Sequence, residues 1–150
     1  METVFISDFN NALFTSCFQR ALIEFSVDTN QLDKFINDFN AAGNIYAYIL
    51  VDEQGESIGL IQFQKTELSN DYIKEEYGLI REFWIAPEYR KKGLGAYLLK
   101  EVEYYFIKSD IRFIILSSRQ ESIGFYIKNG YAEKKNAHSF NKMMVMEKEL

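Results

Sequence analysis

The segment Arg90-Lys91-Lys92-Gly93-Leu94-Gly95 joins three consecutive cations to two closely spaced glycines. It follows an apolar, strand-like segment and opens a stretch with helical periodicity. The first amides of a helix have no intrahelical partner and carry partial positive charge, so they bind anions, and glycines let an anion approach the backbone. Three cations at this end oppose the helix dipole, so an anionic ligand explains them better than helix stability does.

Two known phosphate-binding motifs can be tested against this loop. A P-loop requires Gly-x-x-x-x-Gly-Lys-Ser/Thr, but Ala96 and Tyr97 follow Gly95. A dinucleotide fingerprint requires a third Gly or Ala at the position of Leu98. Both motifs are excluded, and the remaining alternative to a phosphate site is an ordinary basic loop with two glycines.

A second stretch, from Ser122 to Tyr131, reads Ser-Ile-Gly-Phe-Tyr-Ile-Lys-Asn-Gly-Tyr. Together the two stretches resemble the acetyl-CoA signatures of the GNAT superfamily of N-acetyltransferases. The first signature is Arg/Gln-x-x-Gly-x-Gly/Ala after a strand ending in hydrophobic-x-Pro, which here is Ile85-Ala86-Pro87. The second is Ala-Ile-x-Phe/Leu-Tyr-x-Lys-x-Gly-Phe/Tyr. The resemblance covers roughly residues 45–150 and is weak before them.

The resemblance implies that acetyl-CoA is the co-substrate and suggests which residues contact it. The loop would hold the pyrophosphate, and the preceding strand would pair its backbone with the extended pantetheine arm. The cofactor-binding residues so implied are Phe83, Trp84, Ile85, Arg90, Lys91, Lys92, Gly93, Leu94, Gly95, Ala96, Gln120 and Ser122. Many members carry an asparagine just before the second signature, where this chain has Ser118-Arg119-Gln120, so either Gln120 or Ser118 would substitute for it.

The resemblance also implies a catalytic tyrosine, Tyr126, whose phenol can donate a proton to the leaving CoA thiolate. The alternative is a merely packed aromatic. Glu82 is the candidate base, because a lone carboxylate in an apolar strand is partly desolvated and its pKa is raised. Simple alternation places Glu82 and Trp84 on one face and Arg81 and Phe83 on the other. A bulge, frequent in this strand of the family, would exchange these faces. The alternatives to a catalytic Glu82 are an ion pair, for example with Arg81, and a position that faces solvent.

The other reactive residue types offer less. His138, the only histidine, lies in a polar stretch and is interpreted as a bystander. Cys17, the only cysteine, lies on an apolar helical face and is interpreted as core; an intrachain disulfide is excluded. No Cys/His/Asp cluster has metal-ligand spacing, so no metal is predicted.

Hydrophobic periodicity predicts the elements that position these residues. Strands are expected at Val4–Ile6, Ile45–Val51, Ile58–Gln64, Leu79–Ala86, Arg112–Leu116 and Met143–Met146, and helices over Phe9–Phe25, Leu32–Phe39, Leu94–Phe106 and Gln120–Asn129. Ser7 or Asp8 is the expected N-cap of the first helix, and Gly43 ends the second. In the third helix, Lys100, Glu101 and Glu103 are expected away from the apolar face. Thr66–Glu76 is either a loop or a longer hairpin connection.

This order of elements predicts an α/β (α+β) fold, with a mixed, mostly antiparallel GNAT-like sheet flanked by helices. The length of 150 residues and the 47% hydrophobic content suit a single N-acetyltransferase domain over residues 1–150. The first residues lack the features of a signal peptide, and no apolar run approaches the roughly 20 residues that cross a bilayer. We therefore expect a cytoplasmic protein without a membrane partner.

The predicted reaction is acetyl transfer from acetyl-CoA to a primary amine of a small molecule or peptide, by direct attack. The alternative is a non-catalytic, acetyl-CoA-binding regulatory module. A toxin-like acetyltransferase acting on aminoacyl-tRNA is disfavoured, because the net charge of −5 and the lack of a basic patch argue against a nucleic-acid partner. A homodimer is compatible with the sequence. The acceptor is expected to depend on the first 45 residues and on Thr66–Glu76.

Overall fold

The computed structural model describes residues 1–140 and 142–150. Its strands are β1 (Glu2–Ile6), β2 (Ile45–Val51), β3 (Ser57–Ser69), β4 (Lys74–Ile85), β5 (Phe113–Ser118), β6 (Ala132–Glu133) and β7 (Met144–Glu149). Its α-helices are α1 (Ala12–Glu24), α2 (Leu32–Ala42), α3 (Leu94–Lys108) and α4 (Ile123–Lys128). The strands form a seven-stranded sheet in the order β1-β2-β3-β4-β5-β7-β6. The predicted fold class is thereby confirmed.

Contacts divide the chain into two units. The first unit comprises Met1–Phe63 and Glu82–Val102, and the second comprises Gln64–Arg81 and Glu103–Leu150. Strands β3 and β4 and helix α3 each contribute residues to both units. None of the helices in the described part of the chain is long and apolar enough to cross a membrane.

Phenylalanine rings fill the core of the first unit beneath α1 and α2. The centroid of Phe9 lies 4.8 Å from that of Phe14 and 5.3 Å from that of Phe39, both near edge-to-face. Phe18 stacks on Phe14 at 5.2 Å and also meets Phe39 at 5.7 Å. Such rings bury a large apolar area each, so the cluster fixes both helices in place.

The first helix begins later than its spacing predicts. Neither Ser7 nor Asp8 is its N-cap: the Asn11 side-chain oxygen accepts hydrogen bonds from the amides of Leu13 and Phe14, at 2.9 and 3.1 Å. Phe9 therefore precedes α1. Its spacing imitates a helical position because its ring is buried against α1 and α2. The predicted end of α2 at Gly43 is confirmed.

In the second unit, strand β5 pairs with a strand on each side. Strand β5 pairs antiparallel with β7, with Phe113 of β5 opposite Glu149 and Ser118 of β5 opposite Met144. On its other side β5 pairs in parallel with β4, where Gly78 lies opposite Ile114. The short strand β6, which lies antiparallel to β7, was not predicted because two residues carry no periodicity.

The Thr66–Glu76 segment is a hairpin connection, the second of its two predicted alternatives. Strand β3 extends to Ser69 and β4 begins at Lys74. In the turn, the Asn70 side-chain oxygen accepts from the amides of Tyr72 and Ile73, at 2.8 and 3.0 Å. The polar composition of this segment reflects two exposed strand ends rather than irregular backbone.

Strand β4 does not alternate strictly along its length. In the second unit a Cβ on Gly78 would lie 2.5 Å from the Phe106 ring of α3. In the first unit a Cβ on Gly59 of β3 would lie 2.7 Å from Cδ1 of Ile85 in β4 and 3.6 Å from Cδ1 of Leu98 in α3. Along the strand the consecutive residues Arg81 and Glu82 are both exposed, so the regular alternation of covered and exposed residues is interrupted there.

Candidate active site

The loop between β4 and α3 has a backbone suited to an anion. After a 3₁₀ turn at Pro87–Tyr89, Lys91 and Gly93 have left-handed φ values of 62° and 81°. The first amide bonded within the helix is that of Tyr97, which donates to the Gly93 carbonyl at 3.1 Å. The amides of the three residues before Tyr97 therefore have no intrahelical acceptor.

The electrostatics of this loop also favour an anion. The first turn of α3 carries no acidic residue. Lys91, Lys92 and Gly93 are all exposed, and among the described residues none beyond the two neighbours of Gly93 has an atom within 4 Å of the place where a Gly93 Cβ would stand. Lys92 Nζ lies 5.5 Å from the centroid of the Tyr89 ring, so its ammonium is held beside the loop. Amides, dipole and ammonium groups fit a diphosphate at this place.

Arg90 is engaged differently from its two lysine neighbours. Its Nε donates to the Ile85 carbonyl at 2.8 Å, and its Nη2 donates to both carboxylate oxygens of Glu24 at 2.7 Å. One guanidinium thus joins the end of β4 to the last residue of α1. The carbonyl oxygen of Ile85, one of the backbone groups predicted to pair with pantetheine, therefore already accepts a hydrogen bond from Arg90.

The other predicted strand residues lie around this junction. Phe83 is half-buried, and Trp84 is 4% exposed, with its indole Nε1 donating to Glu24 Oε1 at 3.2 Å. Glu82 is exposed. The adjacent Arg81, suggested as a partner for Glu82, donates to Gln64 Oε1 at 2.8 Å.

Side chains from α1 and from the β2–β3 turn brace the loop, and the sequence did not identify them. Arg20 lies 5.1 Å from the Trp84 ring centroid and bonds Glu88 at 2.8 Å. The Tyr89 hydroxyl donates to Asp52 at 3.1 Å. The Glu56 amide, and further the Tyr89 hydroxyl, hold the pKa of Asp52 below its usual value. These partners lie far apart in sequence, so no local motif could have revealed them.

Tyr126 lies on α4 in the second unit and is 7% exposed. Its ring centroid lies 5.2 Å from that of Phe125 and 5.7 Å from that of Tyr131, both steeply inclined. Burial raises the pKa of the Tyr126 phenol above its ordinary value. The hydroxyl therefore remains protonated at neutral and moderately alkaline pH and can act as a donor.

The segment before α4 shows which polar groups are already used. Ser118 is buried and donates its hydroxyl to the Arg119 carbonyl at 2.8 Å. Gln120 is exposed, and its amide nitrogen reaches the Lys142 carbonyl only at 3.5 Å. Ser122 is half-buried at the start of α4 without a side-chain capping bond. Gln120 and Ser122 are thus less committed than Ser118.

No group of three or more potential metal ligands occurs among residues 1–140 and 142–150. His138 is exposed, and Cys17 is fully buried, as its apolar helical position predicted. For Cys17, burial raises the pKa of the thiol to about 12. A thiol so rarely ionised is a core side chain and a poor nucleophile.

Solved structures share this architecture at low sequence identity. A GCN5-related N-acetyltransferase from Ralstonia eutropha matches with a TM-score of 0.72 and 17% identity, covering 92% of this chain and 96% of that one. A predicted acetyltransferase with acetyl-CoA from Clostridium acetobutylicum matches with 0.74 and 17%, covering 93% and 95%. The PaiA N-acetyltransferase from Thermoplasma acidophilum, in complex with coenzyme A, matches with 0.63 and 18%, covering all of both chains.

Among curated protein sequences no match is found. The family model described as the acetyltransferase (GNAT) family matches residues 9–131, a span that includes the β4–α3 loop and Tyr126. The match extends further towards the N-terminus than the two sequence signatures do. On this evidence the chain belongs to the acetyltransferase (GNAT) family.

Proposed function

We propose that residues 1–150 form one N-acetyltransferase domain that transfers an acetyl group from acetyl-CoA to a primary amine. The observation that carries the proposal is the β4–α3 loop. Its left-handed backbone at Lys91 and Gly93, its unbonded helix amides and its exposed lysines together form a diphosphate-binding cradle. Family membership and the CoA-bound neighbours support acetyl-CoA as the ligand.

Within this proposal the amides of Lys91–Ala96 bind the pyrophosphate, and Lys91 and Lys92 supply the compensating charge. The backbone of Phe83–Ile85 pairs with the pantetheine arm, which is extended and carries amides as a β-strand does. Because the Ile85 carbonyl already accepts a bond from Arg90, we assign the main pairing to Phe83 and Trp84. Gln120 and Ser122 would supply further polar contacts.

The reaction forms a C–N bond between the amine and the acetyl carbon and breaks the C–S bond of the thioester. The amine loses one proton and the leaving thiolate gains one. We assign the donor of the second proton to Tyr126, since burial keeps its phenol neutral. Glu82, exposed on β4, would accept the amine proton, directly or through water.

The alternative, a regulatory module that binds acetyl-CoA without turnover, would share the loop and differ only in the reaction. Family membership and the buried phenol of Tyr126 favour catalysis. The acceptor is a primary amine of a small molecule or peptide, bound in part by the first 45 residues and the β3–β4 hairpin.

The first test is stabilisation by acetyl-CoA, because a ligand of the folded state raises the unfolding free energy by about 2.7 kcal/mol at 100 times its dissociation constant. We expect a clear rise in melting temperature at millimolar acetyl-CoA. Gly93→Val, which forces a branched side chain into a left-handed backbone with φ of 81°, should reduce that rise. No rise in the wild-type protein would contradict acetyl-CoA binding.

The second test measures thiol release from acetyl-CoA across a panel of amines: polyamines, aminoglycosides, and peptides with a free N-terminus or lysine. Amine-dependent release would identify the enzyme and its acceptor class in one experiment. Binding of acetyl-CoA with no release for any amine would favour the regulatory module.

A further inference from the structure

Glu103 and Lys148 form a largely buried ion pair beside the end of α4. Glu103 is only 8% exposed, although its sequence position suggested a polar helix face. Lys148 of β7 covers it: Lys148 Nζ donates to Glu103 Oε1 at 2.8 Å and to Oε2 at 3.0 Å. The lysine therefore accounts for the burial of a charge that the helix pattern alone would have left in solvent.

The same ammonium group reaches the end of α4. Lys148 Nζ donates a third bond, at 3.0 Å, to the carbonyl of Asn129, the C-cap residue of that helix. A cation at this place satisfies a terminal carbonyl and opposes the negative end of the helix dipole. The ammonium group thus has three oxygen acceptors, two on Glu103 and one on Asn129.

Helix α4 needs such support. It has six residues, far fewer than an isolated helix requires for stability, so its orientation depends on tertiary contacts. At the end of α4 the backbone carbonyl of Tyr126 accepts hydrogen bonds from two amides, those of Asn129 and Tyr131, each at 3.0 Å. The backbone of Tyr126 is therefore part of the turn that Lys148 holds.

Side-chain packing connects the same groups by a second route. Lys148 Nζ lies 5.5 Å from the Tyr131 ring centroid, within range of a cation–π interaction. The Tyr131 ring in turn meets the Tyr126 ring at 5.7 Å with an interplanar angle of 68°. Lys148 thus contacts both the backbone turn and the ring against which Tyr126 packs.

We propose that Lys148, held by Glu103, is a positioning residue that sets the orientation of the Tyr126 phenol for proton transfer. This inference rests on the proposed acid role of Tyr126. Lys148 itself contacts neither the phenol oxygen nor, in this proposal, the substrate. A general acid works only when its proton is delivered in the right geometry, and a displacement of about 1 Å can slow a reaction by about 100-fold.

The experiment is a double-mutant cycle on thiol release with the full-length protein. Lys148→Met in the wild-type background should lower kcat about tenfold or more while the KM for acetyl-CoA changes little. In a Tyr126→Phe background the same substitution should cost almost nothing further, because no acid is left to misplace. Lys148→Arg, which keeps a cation able to donate to both Glu103 and Asn129, should recover part of kcat.

Removing Lys148 alone leaves Glu103 buried without its cation, which can unfold the protein. The paired variant Glu103→Gln/Lys148→Met removes both charges and keeps the volume similar, so it provides a folded sample for the same cycle. Lys134→Met is the matched control. Lys134 pairs at 3.3 Å with Glu147, which lies in β7 beside Lys148. The side chains of Lys134 and Glu147 are both more exposed than that of Glu103. It should retain wild-type kcat.

Each outcome has one meaning. Equal losses from Lys148→Met in the two backgrounds, with Tyr126→Phe itself slow, would overturn the positioning role and leave the acid role intact. A wild-type rate for Tyr126→Phe would overturn both. Wild-type kcat in the folded paired variant would also overturn the positioning role.

Discussion

Arg90 stands first in the loop signature, and its guanidinium is already bonded within the protein. One Nε–H holds the Ile85 carbonyl and one Nη2 holds Glu24, so the charge of the arginine is largely balanced before any ligand arrives. Lys91 and Lys92 are exposed, and Lys92 lies beside the Tyr89 ring instead of a carboxylate. Two roles for Arg90 are therefore distinguishable: a point charge for phosphate, or a fork that fixes the loop between β4 and α1.

Substituting Arg90 by lysine and by methionine separates these roles. A lysine keeps the charge but cannot reproduce the fork that contacts Ile85 and Glu24 together. We expect Arg90→Lys and Arg90→Met to weaken acetyl-CoA binding by a similar factor, about three- to tenfold, measured by calorimetry. If Arg90→Lys binds as the wild type does while Arg90→Met does not, the arginine acts as a phosphate cation.

Tyr126→Phe tests the acid role directly. Loss of a general acid slows a reaction by about 100-fold or more, and loss of one buried hydroxyl should leave acetyl-CoA binding unchanged. We expect kcat to fall by that order while the thermal shift with acetyl-CoA matches that of the wild type. Phe125→Leu, a change of the neighbouring ring, is the control and should lower kcat far less. An unaltered kcat in Tyr126→Phe would exclude the acid role.

At this scale the sequence locates residues whose chemistry demands a type at a fixed spacing. The spacing of cations and glycines indicated Gly93 in this way, whereas the resemblance to the second GNAT signature indicated Tyr126, and the roles of both stay predictions. Glu24 was not, because its relation to Arg90 spans 66 residues and exists only after folding. The same is true of the burial of Glu103 by Lys148, which reversed its expected exposure.

Among the elements, those with long and regular periodicity were predicted best. The limits of β2 match the prediction, and α2 and α3 follow their apolar spacing. Errors arose where tertiary contacts imitate or extend a pattern. Phe9 was predicted as helical because its ring packs on α1 at the spacing of a helical residue, although it precedes that helix. The ends of β3 and β4 were not predicted as strands, because their residues near the turn are polar. The interrupted alternation of β4 at Arg81 and Glu82 is equally invisible in the sequence, since it depends on which residues the folded chain covers.

Contact between β4 and α3 is tight enough to predict the effect of one methyl group. A Cβ on Gly78 would lie 2.5 Å from Phe106 Cε2 and 2.9 Å from its Cγ, and Phe106 is itself 1% exposed. Because the ring cannot swing away into solvent, Gly78→Ala should lower the unfolding free energy by about 1–3 kcal/mol, as overpacking does. Urea unfolding would measure this.

The matched control is Gly124→Ala in α4. Apart from the adjacent residues and the backbone of α4 itself, no atom of the described residues lies within 4 Å of a Cβ at Gly124. Alanine also favours helix, so this variant should be neutral or up to about 1 kcal/mol more stable. Equal stability of Gly78→Ala and the wild type would mean that β4 and α3 separate more readily than their packing indicates.

For the whole molecule, acidic charge and aromatic content have different consequences. The net charge of −5 bears on solubility and on which partners are repelled. The aromatic content supplies much of the core instead: among the residues that the structure describes, six phenylalanines and two tyrosines are buried, namely Phe9, Phe14, Phe18, Phe39, Phe63, Phe106, Tyr126 and Tyr131. Composition therefore predicted a packed domain without disulfides but could not predict the acceptor. We propose that acceptor choice depends on the first 45 residues and on Thr66–Glu76, for which no sequence signature exists.

Buried acidic protons make the stability of the whole fold sensitive to alkali. The Cys17 thiol, with an ordinary pKa of 9.0, has it raised to about 12 by burial. Below pH 9 the thiol is neutral in both states and its contribution is fully present. Between pH 9 and about 12 only the unfolded chain releases the proton, so stability falls as the pH rises. Burial raises the pKa of Tyr126 and Tyr131 in the same direction, which adds losses above pH 10.

Urea unfolding at pH 8 and pH 10 should therefore show a loss that depends on Cys17. We expect the loss in wild type to exceed that in Cys17→Ala by about 1 kcal/mol, because alanine has no proton to release. Leu22→Ala is the control: Leu22 is buried on the same helix, and its truncation should lower stability equally at both pH values. Parallel losses in wild type and Cys17→Ala would show that the thiol ionises as readily in the folded protein as in the unfolded chain, and hence that the core beneath α1 admits water.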